Sequence, residues 1–187
     1  MSFVSFRSLL TSPCSPNKPI AFSKPPTYLH NIMKLISSCL VGVCATWKAG
    51  SNVASPFEEL LRRGEVLPVC PEQLGGLPTP RPAAEIVGGS GEDVLDGRAH
   101  VVTRDGTDVT ENYLRGASEV LRLAKLVSAE QVILKERSPS CASTQIYDGT
   151  FTGTLRDGCG VTTALLRREG FTVLSDVDYL SQGASNS

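Results

Sequence analysis

Three of the six cysteines in this sequence lie at or just beyond the ends of short hydrophobic segments. Cys39 lies in LISSCLVGV, Cys70 ends EVLPVC, and Cys141 lies in the loop that follows QVILK. Thiolates are soft ligands, so they indicate an iron–sulfur cluster or zinc. Three thiolates would leave one iron of a four-iron cluster open, whereas a structural zinc site needs four ligands, and Cys44 could supply the fourth. Cysteines that merely fill a core are also common, and the residues alone leave these three interpretations open.

Polar side chains accompany two of these thiols. Glu72 follows Cys70 closely, and the SPSC motif places Ser138 and Ser140 beside Cys141. A carboxylate in a buried site suits proton transfer, and a hydroxyl can donate a hydrogen bond or relay a proton. The plain structural interpretations are a solvated carboxylate and a Ser-Pro turn.

Two loops add further candidates. Arg81 lies between two prolines, where it could hold an anion rigidly or simply pair with Glu85. The segment YDGTFTG, residues 147–153, is rich in turn formers and is predicted either as a lid or as a packing loop.

The elements that must position these side chains follow from the hydrophobic patterns. Strands are predicted over 35–43, 65–70, 131–135 and 171–175, helices over 55–64, 111–127 and 161–170, a hairpin around the Asp105-Gly106 turn, and irregular structure over 71–84. This order predicts an α/β fold, with a mainly parallel sheet flanked by helices in a Rossmann-like three-layer sandwich. Parallel strands share one carboxyl edge, so the three cysteines are predicted to converge there.

Composition sets limits on partners and compartment. The chain has 187 residues and a net charge of -1, which gives no general signature of nucleic-acid or membrane binding. Its apolar runs are too short to cross a bilayer. The cysteines are widely spaced, which favours a reducing compartment over a disulfide framework, and we expect a cytoplasmic protein.

Both ends of the chain differ from its middle. Residues 1–32 contain no acidic side chain and are rich in Ser and Pro, so we predict a disordered N-terminal extension. It is interpreted as a transit peptide to mitochondria or another organelle, as a plain tail, or as the result of a misassigned start, because Met33 directly precedes the first strand. We predict a folded domain over 33–180 and a disordered tail over 181–187.

Several motifs in combination carry a family resemblance. CLVG, VCPEQLGGLPTPRPAAEI, GTDVT, ILKERSPSC, IYDGTF and GVTTALLRREG occur in this order over about residues 33–176. The sequence resembles the family of small domains whose best-studied members are 2-thiouracil desulfidases.

The resemblance implies a cofactor and a reaction. It implies a 4Fe-4S cluster held by Cys39, Cys70 and Cys141, with one open iron that binds a thiocarbonyl sulfur. Water then replaces sulfur without net redox change, with Glu72 in proton transfer and Ser138 orienting or protonating the substrate. The implied partners are a small thiolated nucleobase and the iron–sulfur assembly machinery.

One loop departs from the family pattern. CATWKAGSN stands where many members have a Cys-Arg-Tyr-Asp-Gly-like string, so Thr46 and Trp47 replace Arg and Tyr, and a substrate other than 2-thiouracil stays open. The remaining pocket candidates are Trp47, Arg81 and Ser140. The alternative functions are an iron–sulfur carrier or sensor, which needs no pair like Glu72 and Ser138, and a structural zinc protein.

Overall fold

The computed structural model of the protein describes residues 33–184. The strands in this part are β1 Lys34–Ser37, β2 Val66–Val69, β3 Ala84–Val87, β4 His100–Thr103, β5 Gln131–Leu134, β6 Gln145–Tyr147, β7 Leu155–Asp157 and β8 Val173–Ser175. The helices are α1 Ser55–Arg62, α2 Pro71–Leu74, α3 Gly91–Leu95, α4 Thr110–Leu126, α5 Val161–Arg168 and α6 Asp176–Ala184. None of these helices is long and apolar enough to cross a membrane. The predictions for residues 1–32, including the transit peptide, lie outside the described residues.

The centre of the fold is a parallel sheet with the strand order β2-β1-β5-β8. Pro68 lies in β2, which is an edge strand. Proline has no N–H, and an edge strand tolerates this because one of its sides has no neighbouring strand to bond with. The strand order reverses between β1 and β5, and the crevice beyond such a reversal is the usual ligand site of an open α/β sheet.

Helices cover both faces of this sheet because its strands are apolar on both sides. Leu35 packs on one face with residues of α4 and α5, and the adjacent Ile36 packs on the other face with Phe57 of α1 and Tyr179 of α6. Successive side chains of a strand point to opposite faces, so neighbouring residues enter different cores. The predicted α/β sandwich is therefore confirmed.

A second layer extends the molecule beyond the sheet. Strands β3 and β4 pair antiparallel, and Ile86 of β3 lies directly opposite Val101 of β4. Both side chains join a third core with Tyr113 of α4 and Val161 of α5. This layer supplies one wall of the cavity described below.

Glycines at the contact between α2 and α4 allow the short helix α2 to pack closely against α4. Gly75 and Gly116 face each other across the two helices, and a Cβ on Gly116 would overlap the carbonyl of Pro71. The Asn112 side chain adds a hydrogen bond of 2.9 Å to the carbonyl of Gly75. Because no side chain separates the two backbones, α2 lies directly against α4.

Replacing Gly116 by alanine is therefore expected to destabilise the protein by about 1–3 kcal/mol, because α2 must move away from α4. Urea unfolding measures this loss as a lower midpoint. Ser118→Ala on the exposed side of the same helix is the matched control and is expected to change stability by less than about 0.5 kcal/mol. Equal midpoints for the two variants would contradict the close contact.

Several local predictions were wrong in extent. The first strand ends at Ser37, and Ser38–Val41 form a 3-10 turn that Gly42 closes with a φ of 94°. The Pro-rich segment after Cys70 contains α2, and the main partner of β4 is β3, with the predicted hairpin reduced to one bridge between Val102 and Asp108. The domain boundary predicted at residue 180 falls inside α6, so residues 181–184 are helical.

Candidate active site

One cavity of about 470 Å³ lies beyond the carboxyl ends of the central strands. Its wall includes Cys39 after β1, Cys70 after β2 and Cys141 after β5. Cys39 and Cys70 are half-buried and Cys141 is buried. The three thiols, distant in sequence, therefore meet at the predicted edge of the sheet.

Cys39 and Cys70 are held by the loop that departs from the family pattern. Asn52 donates its backbone N–H to the carbonyl of Cys39 at 2.8 Å, and its side chain hydrogen-bonds the thiol. Cys70 immediately precedes α2, and its Sγ lies 3.8 Å from the carbonyl oxygen of Ala45. Residues 45–52 thus connect two of the three thiols.

Cys141 lies in a loop that hydrogen bonds and close packing hold in place. The Glu136 carboxylate accepts hydrogen bonds from the backbone N–H groups of Ser143, Thr144 and Gln145, with N–O distances of 2.7–3.1 Å. Gly160, just before α5, packs so closely that a Cβ there would overlap the backbone of the Cys141 loop. The loop is therefore fixed from both sides.

The two serines of SPSC have different roles. The Ser138 hydroxyl oxygen lines the cavity and accepts the backbone N–H groups of Ser140 and Cys141, both at 3.2 Å. Its own proton remains free to donate into the cavity. Ser140 is fully buried, and its hydroxyl pairs at 2.8 Å with that of Thr162, so its prediction as a pocket residue was wrong. Ser140 anchors the loop to α5.

The donor set suits an iron–sulfur cluster. Burial raises the pKa of Cys39, Cys70 and Cys141. Negative charge on a neighbouring thiolate or on Glu72 raises these pKa values further. Ionised thiolates so close together in a buried cavity need a cationic partner, and cluster iron provides one as it displaces the thiol protons.

The arrangement differs from a site for one ion. Within residues 33–184, no set of three or more His, Cys, Asp and Glu side chains is arranged to hold a single metal ion. A cluster of several irons is wider than one ion, so its thiolates stand further apart. Cys44, the predicted fourth zinc ligand, is exposed and is not part of the cavity wall in the described residues, which leaves the zinc interpretation without its last ligand.

Glu72 lies beside the thiols in a polar setting. Arg81 donates Nε to its Oε2 at 2.6 Å, and the buried phenol of Tyr113 hydrogen-bonds the same carboxylate. Of the two interpretations offered for Arg81, the pairing with Glu85 is therefore wrong. Arg81 also donates to the carbonyl oxygens of Ala45 and Pro78, at 2.9 and 3.2 Å. One buried guanidinium thus ties the carboxylate to the 45–52 loop, which contacts Cys39 and Cys70.

Arg81→Met is expected to lower the free energy of unfolding by about 3 kcal/mol. The Arg81 side chain is 3% exposed and Glu72 16%, and loss of one partner leaves the other charge buried and unpaired. Thermal or urea unfolding measures the change. Arg62→Met removes an exposed ion pair on α1 and is expected to cost less than about 1 kcal/mol; an equal loss in both variants would contradict the special role of Arg81.

The rim of the cavity combines an aromatic ring with a turn-rich loop. Trp47 is 51% exposed, lines the cavity, and accepts the backbone N–H of Arg81 at its carbonyl oxygen at 2.8 Å. Tyr147 and Gly153 bring the YDGTFTG segment into the same cavity wall. The segment is fastened by Glu85, which accepts two of its backbone N–H groups.

Sequence reasoning missed several residues of the wall. Tyr113 of α4 is one of them, because its ring fits the apolar period of the helix and its hydroxyl gives no signal in the sequence. Ser37 ends β1, and its side chain hydrogen-bonds the Cys141 thiol. Lys135 directly follows β5 and pairs with Asp176 at 2.9 Å. A polar residue at the carboxyl end of an apolar strand was the signal that could have found them.

Comparisons with known proteins agree with this geometry. A sequence model of the family described as 2-thiouracil desulfurase matches residues 35–178. The chain is 48% identical over 144 residues to the uncharacterized protein YbbK of Bacillus subtilis (strain 168), covering 77% of this chain and 95% of that one. It is also similar to a solved structure, the 4Fe-4S-dependent thiouracil desulfidase TudS, with a TM-score of 0.70 and 40% identity over 83% of this chain and 99% of the other.

Proposed function

Because the chain belongs to the 2-thiouracil desulfurase family, we propose that it hydrolyses the thiocarbonyl group of a thiolated pyrimidine and releases sulfide. The protein is an enzyme, a desulfidase. In the proposed reaction, the carbon–sulfur bond of 2-thiouracil breaks and a carbon–oxygen bond to water forms. Both hydrogens of the water leave with the sulfur as hydrogen sulfide, so no external oxidant or reductant is needed.

Cys39, Cys70 and Cys141 are the residues that would hold a 4Fe-4S cluster. Three protein ligands leave one iron without a side chain, and the iron–sulfur assembly machinery is the proposed source of the cluster in the cell. When bound, the cluster supplies a Lewis-acidic iron for the thiocarbonyl sulfur.

Glu72 is proposed to handle the protons of the attacking water. Its carboxylate lies in the same cavity as the thiols, and Arg81 fixes its orientation through the 2.6 Å contact. A base must lie within hydrogen-bond reach of the proton that it takes, and a carboxylate that cannot swing away meets this need better than a mobile one.

Ser138 is proposed to donate to the substrate. Its oxygen is already occupied by two backbone donors, so the hydroxyl proton is directed away from the loop. Trp47 at the rim offers an aromatic face to a flat ring, and the semi-enclosed wall limits the entry of bulk water.

The observation that carries the proposal is the presence of three thiols, Glu72 and Ser138 on the wall of one cavity. A protein that only carries or senses a cluster needs the thiols but not the proton-handling pair.

The test is anaerobic reconstitution with iron and sulfide, followed by assay of sulfide release from 2-thiouracil and other thiolated pyrimidines. Brown protein that releases sulfide from one of these is the expected result. Brown protein that releases none would overturn the proposed activity and favour the carrier. Colourless protein that takes up zinc instead would overturn the cluster as well.

A further inference from the structure

Glu85 brings a second carboxylate to the cavity, and the proposed reaction does not use it. The residue lies in β3, is 7% exposed, and lines the cavity wall. Its Oε2 accepts the backbone N–H groups of Gly149 and Phe151, each at 3.0 Å. One carboxylate oxygen is thus engaged with the YDGTFTG loop.

The other carboxylate oxygen has no partner in the part of the chain that the structure describes. Among residues 33–184 no side chain or backbone group hydrogen-bonds Oε1 of Glu85, and no cation pairs with this carboxylate. The buried side-chain atoms without a partner in this part of the chain are Ser143 Oγ and Arg156 Nε, so Oε1 is not sealed in protein. Because Glu85 itself is buried in the wall, the open space that Oε1 reaches is the cavity.

This arrangement is costly unless it serves a ligand. A buried carboxylate without a counter-ion is unfavourable, and two backbone donors offset only part of the cost. The same two donors also hold the group rigidly. Gly149 has a φ of 88° and packs against the backbone of Ile86, so the loop that orients Glu85 is itself fixed to β3.

We infer that Glu85 Oε1 accepts a hydrogen bond from a ring N–H of the substrate and thereby determines which thiolated bases the enzyme takes. The inference rests on the proposed function and deepens it. A base of the thiouracil type carries N–H groups on both sides of its thiocarbonyl carbon, and a fixed, charged acceptor selects for such a donor. An N-alkylated base leaves the carboxylate buried and unpaired, which is the strongest form of rejection that a polar site can achieve.

Glu85→Gln tests this directly. The glutamine carbonyl oxygen can take the N–H groups of Gly149 and Phe151, which preserves the loop and turns the NH₂ group toward the cavity. The position of Oε1, a hydrogen-bond acceptor, is then taken by an NH₂ group, which is a donor. KM for 2-thiouracil is expected to rise on the order of 10- to 100-fold, the range of a charge-assisted hydrogen bond.

The matched substrate is 1,3-dimethyl-2-thiouracil, which has no ring N–H. Its KM is expected not to rise in Glu85→Gln, because this base has no ring N–H and the substitution therefore removes no hydrogen bond to it. An equal rise in KM for both substrates, or for neither, would overturn the inference. Glu111→Gln on the exposed side of α4 controls for the loss of one negative charge.

A binding measurement separates this inference from the proposed function. Calorimetry with the cluster-loaded full chain gives Kd for uracil, 1-methyluracil and 3-methyluracil without any turnover and without any variant. One of the two monomethyl isomers is expected to bind on the order of 10-fold or more weakly than uracil, and the other within about 3-fold. Equal weakening by both methyl groups, or by neither, would count against Glu85 as the acceptor even if sulfide release is observed. Absence of sulfide release with the expected pattern of Kd would overturn the reaction and keep the recognition.

Discussion

Cys141→Ser is expected to abolish both bound iron and sulfide release. Reconstituted wild type should carry about four iron atoms per chain, whereas the variant should retain few and stay nearly colourless. Cys141 is buried, and its loop is held by Glu136 and packed against Gly160, so the serine hydroxyl is expected to stay in the position of the lost thiol. A serine hydroxyl is a hard ligand and substitutes poorly for a thiolate on iron.

Iron analysis and the visible absorbance of the cluster measure this outcome. Cys44→Ser is the matched control, because Cys44 is exposed and lies outside the cavity wall, and it should keep full colour and activity. Brown, active Cys141→Ser protein would remove this thiol from the ligand set. Loss of iron in both variants would point to a fourth ligand and to a closed site.

Glu72→Gln is expected to keep the cluster and lose the chemistry. The kcat for sulfide release should fall by roughly 100- to 10,000-fold, the usual contribution of a positioned acid or base. Glutamine has the same shape and can still accept from Arg81 and Tyr113, so the cavity should keep its form. The amide cannot take a proton from water, which is the property under test.

Three measurements decide between a chemical and a structural effect of this change. Iron content equal to wild type and a KM changed by less than about 3-fold, together with the low kcat, would assign Glu72 to the reaction step. An undiminished kcat would exclude Glu72 as the proton-transfer group. A parallel loss of iron would instead assign the residue to support of the neighbouring Cys70. Glu58→Gln, on the exposed side of α1, serves as the charge control.

Local signals in the chain determined the framework. The apolar segments around Leu35 and Val132 form central strands, and Pro56 and Gly64 bracket α1 as their backbone preferences require. Since parallel strands deliver their loops to one edge, three cysteines at strand ends were enough to predict one site. These signals depend only on residues that are close together in the chain, so they can be recognised from the sequence alone.

Partner choice was decided only by the tertiary structure. Arg81 had two glutamates within reach along the chain and pairs with Glu72, while Glu85, four residues away, faces the 147–153 loop instead. Ser138 and Ser140 differ only in which way a tight loop turns them, one into the cavity and one toward Thr162. Distances across space, not spacing along the chain, set these contacts.

The same reason explains the elements that pattern reading missed. Helix α2 has four residues, too few for a helical period to appear, and it is held by contact with Gly116 of α4. Strand β3 pairs with β4 across an intervening helix, so its partner is not adjacent in sequence. The phenol of Tyr113 reaches Glu72 only because α2 and α4 lie in contact, and that contact exists only in the folded chain.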